Sequence, residues 1–92
     1  MPVFDWDNEK AASNLVKHGV PFPYATRAFS DPQKIEIPDK RYDYGEERFK
    51  IIAVVEEFVI AVIFTRRGED IRIISARPAS REERAQYRSV RS

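Results

Sequence analysis

The stretch "RIISARPASREERAQYR", Arg72 to Arg88, gathers the side chains best suited to chemistry. Arg72, Ser75 and Arg77 lie along an apolar run, and Glu83 and Tyr87 follow four residues apart. That spacing puts the last two on one face of a helix. Residues 63–92 hold 8 arginines and 4 acids, a net of +4; residues 1–62 hold 8 Lys+Arg against 11 Asp+Glu, a net of −3. All five lysines precede Ile51. The planar arginine fork matches phosphate or carboxylate in a way that lysine does not. An anionic partner follows, either RNA or an acidic protein surface. A solvated charged face explains the same composition with less.

Phosphodiester chemistry needs little else. Arginines can stabilise the charge that develops on the phosphorus in the transition state. A carboxylate, a hydroxyl or a lysine can move protons, and RNA supplies its own 2′-hydroxyl as nucleophile. Glu83 and Tyr87 are the candidates for proton transfer, and Tyr87 also for stacking on a base. The plainer role for Tyr87 is to pack the helix on the sheet with its hydroxyl at the rim.

Other chemistries are poorly served. The one histidine, His18, cannot form a pair of imidazoles, and its place near a helix C-terminus reads as structural. Ser75 has no second histidine to activate it, so a serine triad is not expected. With no cysteine, thiol catalysis and disulfides are excluded. Asp39, Asp43, Glu46 and Glu47 cluster in a polar turn and make a weak metal site. No glycine-rich phosphate loop is present. The expectation is therefore no metal and no cofactor.

The elements that must hold these residues follow from patterning. The 92 residues are one domain's worth, 1–92. Pro2–Trp6 reads as a short strand or packed arm. Asp7 is an N-cap for a helix through "DNEKAASNLVKHG", closed by Gly19. A second short helix fits "PYATRAF". Lys34–Pro38 alternates as a strand, and Asp39–Gly45 is turn-like. Arg48–Val55 and Phe58–Arg66 form a hairpin around Glu56-Glu57, poor residues for a tight turn, so a longer loop competes with a two-residue one. Asp70–Arg77 is the next strand. Pro78 stops it and suits a first helical turn, and Ser80 with Glu83 has capping-box spacing for the last helix. Phe58–Phe64 is apolar on both alternating sets, so it should be central. The order implies an α+β fold with three or four antiparallel strands.

Alternation puts Arg48 and Lys50 on one face, joined by Arg72 if both hairpin loops have even lengths. Arg66, Ser75 and Arg77 then take the other parity. A one-residue slip would flip a set.

"WDNEKAASNLVKHGVPF" (Trp6–Phe22), "GEERF" (Gly45–Phe49) and "IRIISARPASREERAQY" (Ile71–Tyr87), in this order, resemble the BrnT family of bacterial toxins. The resemblance spans nearly the whole chain. It implies a RelE-like twisted antiparallel sheet with two N-terminal helices and one C-terminal helix. It further implies a ribonuclease toxin of a type II toxin–antitoxin system. The implied partners are RNA and a cognate ribbon-helix-helix antitoxin, with operator DNA contacted only through the complex. Arg72 and Arg77 would bind the scissile phosphate. Arg48 and Ser75 would hold flanking RNA, joined on their placement in the strands and last helix by Lys50, Arg66 and Arg84, and Glu83 and Tyr87 would act in proton transfer or stacking. Pro78 stands where the pattern would have another basic residue. Without an apolar run near 18 residues or a leader-like start, a cytoplasmic protein with no membrane contact is expected. The competing function is a non-catalytic or degenerate module that docks an acidic protein or nucleic acid on the same basic strand–helix junction.

Overall fold

The Asp7 carboxylate accepts from the amides of Glu9 and Lys10 at 2.8 and 3.2 Å and starts helix α1, Asn8–His18. Gly19, at φ 74°, ends it in the left-handed conformation that a Cβ disfavours. The computed structural model describes residues 3–40 and 45–91. Helix α2, Phe22–Ala25, runs directly into a 3₁₀ turn, Thr26–Ser30. The strands are β1 (Phe4–Asp5), β2 (Ile35–Asp39), β3 (Arg48–Val55), β4 (Phe58–Arg67) and β5 (Asp70–Pro78), and helix α3 spans Arg81–Arg91. Part of the Asp39–Gly45 turn, including Asp43, lies outside the described residues.

The five strands form one sheet in the order β1-β5-β4-β3-β2. It is mixed, which corrects the all-antiparallel expectation. β1 lies parallel to β5, with Phe4 opposite Ile71 and Asp5 opposite Arg72. A crossover through α1 and the remaining strands separates that pair in sequence, and so a parallel pairing is open to it.

β4 is central, and Ile60 to Thr65 are all buried. Phe58 belongs to the same apolar run but is 64% exposed, because it borders the β3–β4 turn beyond the covering layers. That turn is the two-residue alternative: Val55 pairs with Phe58 around Glu56-Glu57. Glu56 sits at φ 58°, a costly place for a side chain with a Cβ. The β4–β5 turn, Gly68-Glu69, puts glycine at the corresponding position with φ 64°.

The main core lies on one face of the sheet. Val20, Phe22, Ala25 and Ala28 pack there against Ile51, Ala53, Ile60, Val62, Phe64, Ile73 and Ala76. α3 covers part of the other face, above the fully buried Ile52 and Ala61, with Tyr87 1% exposed. Pro78 ends β5 instead of opening the helix, since the Ala79 amide still bonds Val59 O at 3.0 Å. Among the described residues no helix is long and apolar enough to cross a membrane.

Candidate functional site

Register decides which basic residues meet. Ile63 pairs with Ser75 but Phe64 pairs with Ile73, which leaves Ile74 as an extra residue in β5. This is a β-bulge, two residues opposing one. It shifts the parity of everything after it. Thr65 faces Arg72, Ile63 faces Lys50 and Ser75, and Ala61 faces Ile52 and Arg77. Arg48, Lys50, Arg72, Ser75 and Arg77 therefore share one face. The opposite parity expected for Ser75 and Arg77 is corrected by the bulge, which a period-two reading does not contain. Arg72 and Arg77 stand at opposite ends of the patch. Their partners Thr65 and Ala61 are four residues apart, about 13 Å along a strand.

Arg66 does take the other face. Its guanidinium lies 5.0 Å from the Phe49 ring centroid and 5.1 Å from that of Phe64, and it grips Glu36 through two bonds of 2.7 and 2.9 Å. The structure thus separates Arg66 from the other basic residues of the set.

The organising group is Glu83. Ser80 and Glu83 close the capping box in both directions: Ser80 N donates to Oε1 at 2.9 Å, and Glu83 N donates to Ser80 Oγ at 3.1 Å. The same carboxylate then takes Arg77 in a bidentate pair, 2.7 Å to Oε1 and 2.9 Å to Oε2, and Lys50 at 2.7 Å to Oε2. Its side chain is only 6% exposed, against 29% for Arg77 and 25% for Lys50. Hydrogen bonds from Arg77 hold the Glu83 carboxyl well below the usual carboxylate range. Burial pulls the other way, and Lys50, the Ser80 amide and the charge of Arg77 overcome it. These bonds favour the charged carboxylate and weaken it as a base.

The other cations at this face have carboxylates too. Arg72 reaches Asp5 at 3.2 Å, and Arg48 reaches Glu46 at 3.4 Å. Ser75 Oγ donates to Asn14 Oδ1 at 3.3 Å. Arg84 sits apart, on α3. Its Nη1 donates to Ala79 O at 2.8 Å beside an apolar cleft of about 520 Å³ lined in part by His18, Tyr24, Phe58 and Pro78. Burial lowers the His18 pKa from its ordinary value, and the charges of Lys17 and Arg77 push the same way.

Tyr87 is in the interior. Its hydroxyl donates to Asp31 Oδ2 at 2.5 Å, and its ring has no surface on which a base could stack without α3 moving. Asp31 also accepts from Val54 N and Gln33 N, both at 2.9 Å. Burial works against the Asp31 charge, but the bonds from Tyr87, Val54 and Gln33 outweigh it and lower the pKa.

Two buried polar residues escaped the sequence reading, and they do similar work at opposite edges of the sheet. β2 starts at Ile35, opposite Ile52, so Val54 lies beyond its end and gives its amide to Asp31. β1 pairs only as far as Arg72, so Ala76 lies beyond it and pairs with Asn14. The faint signal was an amide in the middle of α1, where Asn is a poor helix former. Among the described residues no buried side-chain polar atom lacks a partner, and no group of three or more His, Asp or Glu could hold a metal.

A family model described as "Ribonuclease toxin, BrnT, of type II toxin-antitoxin system" matches residues 6–83. A search of curated proteins found no match.

Proposed function

The chain belongs to the BrnT family of ribonuclease toxins of type II toxin–antitoxin systems, and from that premise we propose that it cleaves RNA, with mRNA the expected substrate, without a metal ion. The carrying observation is that Lys50 and Arg77 share the Glu83 carboxylate on the face that also holds Arg48 and Arg72. In this reading Arg77 binds the scissile phosphate. The 2′-oxygen of the RNA attacks phosphorus while the bond to the 5′-oxygen breaks. The 2′ proton passes to solvent base, and the departing 5′-oxygen takes a proton from water. The products are a 2′,3′-cyclic phosphate and a 5′-hydroxyl. The guanidinium stabilises the negative charge that builds on the non-bridging oxygens.

Spacing refines the roles. At about 13 Å, Arg72 is too far along the strand to share the Arg77 phosphate comfortably, so it holds a neighbouring one, with Arg48 in the same cross-strand row. Lys50 and Ser75 line the row between. Glu83, a poor base, orients Arg77 and Lys50 instead of carrying protons. Tyr87 anchors α3 through Asp31. Arg84, on α3, is left to flanking contacts.

The reading includes a RelE-like arrangement, a cytoplasmic setting, and a ribbon-helix-helix antitoxin through which the operator is contacted. The test is RNA incubated with antitoxin-free protein in EDTA. Cleavage lost in Arg77→Ala supports the proposal; intact RNA with the wild-type protein overturns it. The competing reading, a non-catalytic or degenerate docking module, draws on one observation. Arg48, Lys50, Arg72 and Arg77 each already contact a carboxylate, as basic residues do at an acidic interface. It predicts normal growth on induced expression, where the toxin reading predicts arrest.

A further inference from the structure

We infer that Asn14 is a positioning residue for the RNA-cleaving site, because its side chain fixes the register of the strand that delivers Ser75 and Arg77. The inference rests on the function proposed above. After Arg72, β5 has a neighbour only on its β4 side, and two residues later its ladder carries the Ile74 bulge. A regular, unbulged register is the alternative pairing for this segment. Without the bulge, Ala76 would fall opposite Ala61 and Arg77 opposite Ile60, which is 2% exposed on the main core face. The arginine would then leave the site.

Asn14 holds the bulged register from the open side. Its Nδ2 donates to Ala76 O at 2.7 Å, and its Oδ1 accepts from Ala76 N at 3.1 Å. One carboxamide thereby imitates a neighbouring strand at the residue between Ser75 and Arg77. The second Nδ2 proton reaches Val20 O at 3.1 Å, and Oδ1 also accepts from Ser75 Oγ at 3.3 Å. Two donors and two acceptor sites are the full capacity of an amide, and all are used at 7% exposure. α1 is thus tied to the second half of β5 by a contact 62 residues apart in sequence. The distant carboxamide sets where the arginine stands, and misplacement of a catalytic group by about 1 Å can cost about 10²-fold in rate.

The experiment compares wild type, Asn14→Ala, Arg77→Ala and the double variant, each shown to be folded at the assay temperature. Asn14→Ala should lower kcat about 10- to 100-fold, and adding it to Arg77→Ala should cost nothing further. Amide exchange at Ser75 and Ala76 should quicken while that of Ala53 in the main core does not. A variant that melts earlier but keeps wild-type kcat, or whose loss multiplies with that of Arg77→Ala, overturns the inference. If Asn14→Ala does not fold, Asn14→Asp carries the same comparisons, since it keeps the volume and the acceptor but loses both donors. A wild-type protein that leaves RNA intact sinks the ribonuclease reading itself. Active wild type with an unchanged Asn14 variant sinks only the positioning role.

Discussion

Lys50 on β3 and Arg77 on β5 converge on a single oxygen, Oε2 of Glu83, at 2.7 and 2.9 Å. β4 lies between their strands, so the bridge is made over the top of the sheet by the first turn of α3. Two cations on one buried carboxylate leave a net positive charge, at the place where the proposed function puts an RNA phosphate. The carboxylate lowers their mutual repulsion and fixes both side chains in advance of the substrate.

Arg77→Ala should reduce RNA cleavage by about 10²- to 10³-fold, the usual effect of losing one charge-stabilising donor. Single-turnover cleavage in EDTA measures it. Lysine at this position should recover only part of the rate, since it keeps the charge but loses the two-pronged grip on Glu83. Full recovery by lysine would show that geometry at Arg77 is unimportant.

Arg48 and Arg66 make a matched pair, one on each face. Arg48→Ala should weaken RNA binding and flatten its salt dependence by about 0.7 in the log–log slope, the share of one backbone phosphate in a single strand. Arg66→Ala should leave the slope unchanged. Its cost is to stability, about 1 kcal/mol, from the lost stacking on Phe49 and Phe64 and the partly exposed Glu36 pair. Filter binding over a salt series separates the two.

Tyr87→Phe removes a hydroxyl that donates to a buried carboxylate, so it should cost about 1.5–3 kcal/mol in urea unfolding. Cleavage per folded molecule should stay near wild type. A fall of more than about 10²-fold with the fold intact would return Tyr87 to proton transfer.

Acid stability should depend on Glu83. Its folded pKa is depressed, so the stabilisation is fully present above the unfolded value, about 4.3, and drains away as pH falls below that value. Asp31 and Glu36 are also lowered, Glu36 chiefly by the bond from Arg66, and contribute with the same sign. Urea midpoints measured from pH 6 downward should therefore drop most steeply below about pH 4.5. Glu83→Gln should start lower and fall less steeply. Equal slopes in the two proteins would remove Glu83 from this account.

Much of the architecture was written locally. Asp7 and Gly19 bound α1 through caps that need only neighbouring atoms. Ser80 and Glu83 do the same for α3. The doubly apolar run of β4 announces a central strand, and the hairpin β3–β4 follows from two adjacent runs. These signals are short-range, so residue type and spacing are enough to read them. The arginine bias of the last third likewise pointed to an anionic partner, and the three motifs to the family.

Tertiary structure decided which face each arginine takes. Alternation is a period of two, and one bulged residue, Ile74, reverses it for Ser75 and Arg77. Nothing at Ile74 itself marks the bulge. It is held by Asn14 from 62 residues away and by the fit of Ile73 and Ala76 into the main core. The parallel seat of β1, the burial of Tyr87 on Asp31 and the meeting of Lys50 with Glu83 depend in the same way on partners distant in sequence. The sequence by itself placed Arg77 and a capping glutamate close together where strand becomes helix. Only packing, acting through long-range hydrogen bonds and one bulged residue, settled which basic residues share a face.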